Sequence, residues 1–472
     1  MKQLTEKTFF YHTKCPRWVR RDLVHGNGLD ALEERMIDDG LLPEVMEGLL
    51  KARGEFETVR DEDMDDAFSR TVDFMRQGVS TIYSGVLMDG HWIGRPDILE
   101  RVEGKSEFGN YYYVSVDIKR ISDPRGIRDE HRMQGSFYAD LLEVIQKVKP
   151  TSGYIMTPSG IVMSYNLAVF EADYRLTLDR IEKILAGEEP GHILTSGCKA
   201  SPFFEVCLDE AVACDELSVL NRIHRGEIDE LNREGIKTVL GLASANLEVL
   251  ETKIIDISFN RLSFLQRQAI ALKERLHDIV EPIKFRDEAV ELFFDIEADP
   301  VRDIDYLFGV LKVQYNEDGT VTEKYHAFVA EREEDEQTAW NEFTAFLNEN
   351  QHAPVYHYGW YEISVCAKLI DRFGAPEGAI ESWRNNFIDL NSVLRPAVIF
   401  PLSFYSLKDI AQYIGFQWRS EDAGGVNSIR WFHEWLDKGN APMMKKIIQY
   451  NEDDVRATRV LKDWLKEKAG KK

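Results

Sequence analysis

The sequence predicts a multidomain α/β protein in which a small helical segment separates two α/β domains. Acidic side chains follow strand-like apolar segments in both halves of the chain, and the residues between the halves show only helical periodicity. We place the first α/β domain at 1–210, the helical connector at 211–285 and the second α/β domain, with a mixed sheet, at 286–472. A chain of 472 residues is expected to form two or three domains, each with its own core.

Two strand-like segments predict the sheet of the first domain. TIYSGVLMDGHWIGRPDILERV contains a turn at Asp89 and Gly90, and YYYVSVDIKR follows it. In the second segment, Asp117 and Lys119 stand two apart and share one strand face, twenty positions after Asp97. This spacing favours either a catalytic pair or an ordinary surface ion pair.

A predicted helix follows these strands and extends the pattern. In HRMQGSFYADLL, Gln134 and Tyr138 lie four apart and therefore share one helix face. Together with Asp97, Asp117 and Lys119, they resemble the core of PD-(D/E)xK nucleases of the RecB type, which include CRISPR-associated exonucleases. The resemblance implies that the two aspartates bind a cation, that the lysine eases formation of hydroxide nearby and that the helix contacts nucleic acid.

The upstream motif of that family is matched in part by ARGEFETVR. Glu57 is a further metal ligand in this interpretation, and Phe56 stands where the family often has histidine. The resemblance implies a metal site of three acids in the first domain. Whether this site is catalytically active is left open by the sequence.

Four cysteines resemble the iron–sulfur ligands of RecB-type nucleases. Cys15 precedes the nuclease core, and Cys198 and Cys207 follow it, with Ser201 where the family places a middle thiolate. Cys214 is the remaining candidate, although its spacing departs from the pattern. The alternative is a group of free, partly buried thiols.

The connector sequence predicts two short helices with Gly235 at the turn between them. This segment resembles helix-hairpin-helix elements, whose turn amides contact a phosphate backbone. The alternative is an ordinary helical hairpin between domains. A longer helix is predicted over about 258–280.

The second α/β domain opens with ELFFDIEADP, the most informative stretch of the chain. A strand would point Asp295 and Glu297 to one face, directly behind an apolar run. Because adjacent carboxylates repel, a fold that holds them together usually binds a hard cation such as magnesium or manganese. The alternative is a half-exposed strand with a polar outer face.

Two later segments add acids in a defined order. APVYHYGWYE ends at Glu362, and IIQYNEDDVRATRVLKDWL predicts a helix with Tyr450 and Asp454 on one face. This order resembles the DEDD exonucleases (DnaQ-type) of the RNase H-like fold, tyrosine subtype, in the branch found in predicted RecB-family nucleases. The resemblance implies that Tyr450 positions the attacking water and that four carboxylates hold two cations. These four are Asp295, Glu297, Glu362 and Asp454.

Two details near this motif leave alternatives open. Glu362 departs from the family, since most DEDD enzymes have aspartate at this motif. Asp389 in FIDLNSVLRP is either a spare metal ligand or a cap at the end of a strand.

The net charge of -24 argues against a nucleic-acid enzyme, because phosphate binding normally draws on a basic surface. Cations at two metal sites would offset part of this charge, and the rest favours short or single-stranded ends of DNA or RNA over long duplexes. The candidate phosphate contacts are Arg17, Arg20, Arg21, Arg95, Lys408 and Arg419.

Location and membrane association follow from the cysteine count and the apolar runs. Five cysteines, an odd number, and an N-terminus without a secretory apolar region predict a reducing, cytoplasmic location. No apolar run approaches the length of a membrane span, so no membrane partner is expected.

The combined prediction is a metal-dependent nuclease that hydrolyses DNA or RNA, from the 3′ end and through the C-terminal site. The N-terminal domain would bind or guide the strand, or cut it as well. One alternative is a nucleic-acid-binding repair or processing scaffold with degenerate nuclease domains, favoured by Phe56, Ser201 and Glu362. Another is a phosphodiesterase for short oligonucleotides, which an acidic surface would suit.

Overall fold

A computed structural model describes residues 4–26, 28, 29, 33, 34, 36, 43–60, 63–121, 124–191, 193–422 and 424–470. The chain divides into two compact units, residues 1–210 and 211–472. The segment predicted as a helical connector lies within the second unit. Among the described residues, no helix combines the length and apolar character needed to cross a membrane.

The first unit contains a mixed sheet and helices that flank its strands in sequence. Its strands are β1 (Leu4–Thr5), β2 (Glu57–Thr58), β3 (Thr81–Tyr83), β4 (Leu87–Asp89), β5 (Trp92–Gly94), β6 (Ile98–Ser106), β7 (Gly109–Ile118), β8 (Ser152–Met156) and β9 (Val162–Asn166). Its helices are α1 (Lys7–Lys14), α2 (Pro16–His25), α3 (Pro43–Arg53), α4 (Met64–Gln77), α5 (Asp129–Gln146), α6 (Glu171–Leu185) and α7 (Phe204–Ala213), the last of which crosses the division between the units.

The larger sheet of this unit has six strands in the order β2-β3-β6-β7-β8-β9. β6 and β7 are antiparallel, and β8 returns parallel to β7 after the crossover helix α5. The predicted turn at Gly90 is confirmed, because β4 and β5 form an antiparallel hairpin there and Gly90 adopts a positive φ of 60°. Gln134 and Tyr138 both lie on α5, as the helical spacing predicts.

The second unit begins with short helices and continues as a five-stranded sheet with helices. Its strands are β10 (Asp278–Ile279), β11 (Val290–Asp299), β12 (Ile304–Tyr315), β13 (Val321–Val329), β14 (Val355–His357), β15 (Phe387–Asp389) and β16 (Val398–Ile399). Its further helices are α8 (Arg225–Arg233), α9 (Val239–Ala243), α10 (Leu247–Lys253), α11 (Phe259–Glu274), α12 (Glu336–Glu349), α13 (Tyr361–Phe373), α14 (Glu377–Asn385), α15 (Leu390–Ala397), α16 (Leu407–Tyr413), α17 (Gly425–Lys438) and α18 (Ala441–Lys468).

The five strands lie in the order β13-β12-β11-β14-β15, so the predicted mixed sheet is confirmed. β11, β12 and β13 are antiparallel neighbours, whereas β14 and β15 run parallel to β11. Successive residues of β11 enter different cores: Phe294 packs in one cluster with Trp340 of α12, and Phe293 packs in another with Leu461 of α18. Both faces of the central strand are therefore covered, which explains its continuous apolar run.

The helix predicted over about 258–280 is shorter than expected. α11 ends at Glu274, because Arg275 adopts a left-handed conformation with φ of 57°. Asp278 and Ile279 then pair with β16 as a two-stranded antiparallel sheet. The predicted end of this helix was wrong, since apolar periodicity does not register a left-handed cap or a distant strand partner. The turn predicted at Gly235 is confirmed, with φ of 83° just after α8.

Candidate active site

The central strand β11 carries the first two acids of the site. Asp295 and Glu297 are two positions apart on β11 and so lie on the same face as Phe293, which packs toward α18. The pairing register with β12 shifts between Glu297 and Ala298, so a bulge immediately follows the second acid. The strand fixes the spacing of the carboxylates and directs them toward the C-terminal helix.

Helix α18 completes a cluster of three carboxylates. Oxygen atoms of Asp295, Glu297 and Asp454 all lie within 4.8 Å of one another. Within the described part of the chain, these three side chains are the histidine, cysteine or acidic residues that cluster closely enough, in a group of at least three, to hold one metal ion. Tyr450, one turn before Asp454 on α18, hydrogen-bonds to it through its hydroxyl. The predicted pairing of Tyr450 and Asp454 on one helix face is confirmed.

Glu362 lies beside this cluster in the first turn of α13. Its side chain is buried, and its Oε2 accepts no hydrogen bond from the described residues. Nδ1 of His357, at the end of β14, lies 3.4 Å from that oxygen. The charge of Glu362 contributes to the raised pKa of Asp295, which places it within electrostatic reach of the three carboxylates.

The pKa values reflect burial of several acids together. Burial raises the pKa of Asp295 well above its usual range, and the charges of Asp454, Glu297 and Glu362 raise it further. Burial, together with the charge of Asp454, raises the pKa of Glu297 to about 8. Burial likewise raises the pKa of Asp454 to about 7, against the lowering effect of hydrogen bonds from Trp418 and Tyr450. Ionising these acids together costs free energy unless a cation compensates their charges. Because their ligand atoms are all oxygen, the group fits a hard divalent cation such as magnesium or manganese.

Residues 292–466 match the family model of the RNase_H superfamily. No curated protein matches the chain. The RNase H-like domain contains the whole carboxylate cluster together with Glu362 and Tyr450. A domain of this superfamily supports nuclease-type hydrolysis of phosphodiester bonds.

A buried asparagine of the RNase H-like domain orients two of its acids. Asn451 Nδ2 donates to Oδ2 of Asp295 at 2.8 Å and to Oε1 of Glu297 at 3.4 Å. Tyr325 on β13 donates its hydroxyl to Asn451 Oδ1 at 2.8 Å, which fixes the amide with its NH₂ group toward the acids. Gly309 on β12 makes room for this contact, since a Cβ there would lie 1.6 Å from Asn451 Oδ1.

Glu297 also receives a hydrogen bond from α17, through a serine that is itself hydrogen-bonded to a tyrosine. The hydroxyl of Ser428 hydrogen-bonds Glu297 and lies 2.7 Å from Oη of Tyr306 on β12. When Glu297 is ionised it can only accept, so the chain of donors runs from Tyr306 through Ser428 to the carboxylate. Ser428 and Asn451 are both fully buried. Glu297 is therefore held from two helices.

Asp454 is held on its other side by the segment between α16 and α17. Trp418 Nε1 donates to Asp454 Oδ1 at 2.7 Å. Lys408 at the start of α16 lies near enough for its charge to lower the pKa of Asp454. Arg419, a candidate phosphate contact, instead pairs with Asp453 and Glu452 on α18.

Asp389 acts as a cap, one of the two roles left open by the sequence. Its Oδ1 accepts from the backbone amides of Gly359 and Asn391, and its Oδ2 from the Ser392 hydroxyl. It thereby begins α15 and fixes the loop that leads to Glu362.

Asn451, Ser428 and Trp418 were not identified from the sequence. Asn451 could have been found as a polar residue at helical spacing from the apolar residues Ile447 and Val455. Ser428 and Trp418 carry no such local signal, because each reaches the acids from an element distant in sequence.

In the first unit, the residues of the PD-(D/E)xK pattern lie around the ends of β6 and β7. Asp97 Oδ2 accepts from the backbone amide of Ile118 at 2.7 Å, which brings it beside Asp117. Asp117 and Lys119 are buried. Glu57 is exposed on β2 and lines an open cavity of about 550 Å³ with Phe56. Within the described residues, these three acids do not converge as closely as the C-terminal acids do.

The residues predicted to contact nucleic acid in this unit differ in exposure. Gln134 Nε2 donates to Tyr138 Oη at 2.9 Å, and both side chains are buried. Arg95 is exposed in the turn between β5 and β6. The remaining cations are paired with acids: Arg17 and Arg21 with Glu210, and Arg20 with Glu189.

Three of the four predicted iron–sulfur ligands lie near one another, because Cys198 contacts Cys15 and its charge also acts on Cys207. Cys15 and Cys198 lie in contact in a small apolar core. The hydrogen bond with Cys198 is the main cause of the raised pKa of the Cys15 thiol, and burial is the second. Cys207 is buried, and burial raises the pKa of its thiol. Cys214 is exposed after the end of α7 and belongs to the second unit.

Proposed function

We propose that this chain is a metal-dependent nuclease that removes nucleotides from the 3′ end of DNA or RNA through its RNase H-like domain. One observation carries the proposal: oxygen atoms of Asp295, Glu297 and Asp454 lie within 4.8 Å of one another. Burial there raises the pKa values of Asp295 and Glu297, so ionising these acids costs free energy. Cation binding would compensate that cost.

The donor set supports two ions. Asp295, Glu297 and Asp454 would hold one, and Glu362, whose buried Oε2 accepts no hydrogen bond among the described residues, would join Asp295 in holding the other. When bound, the ions lower the pKa of an attacking water and offset charge on the phosphoryl oxygens and the leaving 3′ oxygen.

Tyr450 contributes as a neutral hydrogen-bond donor and acceptor. Burial and the nearby charges of Asp454, Glu297 and Asp295 raise the pKa of its phenol above its usual range, so its hydroxyl stays protonated in the metal-free protein. Its hydroxyl, already hydrogen-bonded to Asp454, would orient the attacking water in line with the scissile bond. Lys408, near Asp454, would attract the adjacent phosphate.

The first unit suggests a second, dependent role. The contact between Asp97 and the strand that carries Asp117, with buried Lys119 beside it, supports a RecB-like PD-(D/E)xK domain. We propose that this unit guides the strand and, if it binds a cation, also cuts it.

The test is cleavage of 5′-end-labelled single-stranded DNA and RNA with magnesium, manganese or chelator. We expect metal-dependent ladders that shorten from the 3′ end and disappear in Asp295→Ala and Asp454→Ala. Glu342→Ala, which changes an exposed acid on α12, should keep full activity. Asp117→Ala reports on the first unit separately. Absence of metal-dependent cleavage by every version would overturn the proposal and leave the binding scaffold as the better interpretation.

A further inference from the structure

Two exposed aromatic residues directly precede Glu362. Trp360, at the N-cap of α13, is 75% exposed, and Tyr361 is 48% exposed. The chain has nine tryptophans, all within the described residues. Among them Trp360 is exposed, and the others are buried or half-buried. Single exposed aromatics are common on protein surfaces, so exposure alone does not indicate a function, and the informative feature of these two residues is their position.

That position is the border of the carboxylate cluster. Trp360 is two residues from Glu362, and the loop before it is fixed by the hydrogen bond from Gly359 to Asp389. The hydroxyl of Tyr361 lies within electrostatic reach of Asp305, Glu362, Asp295 and Glu297. The Tyr361 hydroxyl therefore lies near the acids, and Trp360 is the exposed residue directly before it at the N-terminal end of α13.

We propose that Trp360 stacks on an unpaired nucleobase at the 3′ end of a single-stranded substrate, with Tyr361 beside it. The inference rests on the proposed nuclease function and names the class of substrate for it. An exposed indole stacks on a base face that is not already covered by a neighbouring base, which favours single strands and frayed ends over the interior of a duplex. Stacking needs no cation, so it suits a chain with a net charge of -24.

The first test compares two oligonucleotides that differ in the base of the 3′-terminal nucleotide. One strand is normal, and the other has an abasic sugar at its 3′ end. We expect wild type to process the normal strand with a kcat/KM roughly tenfold higher, from the usual strength of one base–aromatic contact. Trp360→Ala should reduce this ratio to about one, and Trp360→Phe should retain most of it. An unchanged ratio in Trp360→Ala would overturn the proposal.

The second test does not depend on catalysis. Titration of the normal strand in chelator should quench part of the tryptophan emission of wild type, and Trp360→Phe should lack that part. If wild type cleaves nothing but shows this quenching, base stacking stands and the nuclease proposal fails. If wild type cleaves and neither the quenching nor the substrate ratio depends on Trp360, the stacking proposal fails and the exposed rings fit a protein partner better. Thermal melting of each variant verifies folding, and Trp360→Leu replaces Trp360→Ala if the latter does not fold.

Discussion

At the scale of single residues, Glu297 depends on neutral side chains that are themselves held by tyrosines. Asn451 and Ser428 each contact it, and Tyr325 and Tyr306 fix these two partners. A carboxylate held from two sides has few orientations to lose when a cation binds, so the site is preorganised for metal.

Replacing Asn451 by leucine should separate orientation from folding. Asn451→Leu removes both amide hydrogen bonds to the acids with little change in volume, and we expect kcat to fall by about tenfold or more. The magnesium concentration for half-maximal rate should rise in parallel. Asn341→Leu, at an exposed position on α12, is the matched control. Equal kcat and magnesium dependence in Asn451→Leu and wild type would contradict this role.

The raised pKa values predict how the metal-free protein responds to pH. Because the pKa of Glu297 is about 8 and that of Asp454 about 7 in the folded state, the folded protein binds more protons than the unfolded chain between the ordinary carboxyl pKa and these values. Their contribution to stability is therefore present at low pH and is lost as pH rises from about 5 to 8.

Chemical unfolding in chelator across this pH window measures the effect. Glu297→Gln should flatten the fall in the free energy of unfolding, since glutamine does not titrate. Added magnesium should stabilise wild type more at high pH than at low pH, because protons compete for the same oxygens. A metal-independent stability that rises with pH through this window would contradict the assignment.

At the scale of elements, periodicity predicted which side chains share a face but not which elements meet. The two-residue spacing of Asp295 and Glu297 and the four-residue spacing of Tyr450 and Asp454 placed four site residues on a strand and a helix, and the structure has both elements. The contacts of Trp418 and Ser428 could not be predicted, because they depend on how α17 and the segment before it pack against β11 and α18. The prediction of the end of α11 was wrong for a similar reason, since β10 pairs with a strand more than one hundred positions away.

The approach of α18 to the sheet depends on Gly309. A methyl group there would overlap the carboxamide of Asn451, so Gly309→Ala should lower the free energy of unfolding by about 1–3 kcal/mol and reduce activity as well. Gly226→Ala is the control, because its Cβ meets nothing within 4 Å and its position on α8 favours alanine. Urea unfolding of both variants measures this difference. Equal midpoints for Gly309→Ala and wild type would contradict the close approach of Asn451 to Gly309.

At the scale of the whole molecule, the acidic charge restricts how nucleic acid can bind. Arg17, Arg20 and Arg21 are paired with acids of the first unit, and Arg419 is paired with acids of the second. Composition alone suggested these arginines as phosphate contacts, but it cannot show that acids distant in sequence already hold them. These four arginines are therefore weak candidates for backbone contacts, and we expect metal ions and base contacts to supply much of the binding energy.

Binding of single strands should accordingly depend weakly on salt. We expect a slope of log K against log salt equivalent to about one to three phosphate contacts, and Lys408→Ala should reduce it by about one. Fluorescence anisotropy with a labelled single strand measures this, and Lys438→Ala, at an exposed lysine of α17, is the control. A steep slope that is unaffected by Lys408→Ala would show that a different surface binds the backbone.

In the proposed mechanism, the carboxylate cluster holds the ions that act on the phosphoryl group. The most direct test of this role is single-turnover cleavage of a strand with one non-bridging oxygen of the terminal phosphodiester replaced by sulfur. We predict strongly slowed cleavage in magnesium, because this hard ion binds sulfur poorly, and recovery in the softer manganese. Equal effects of sulfur in both metals, or cleavage that persists in Asp295→Ala, would contradict the claim.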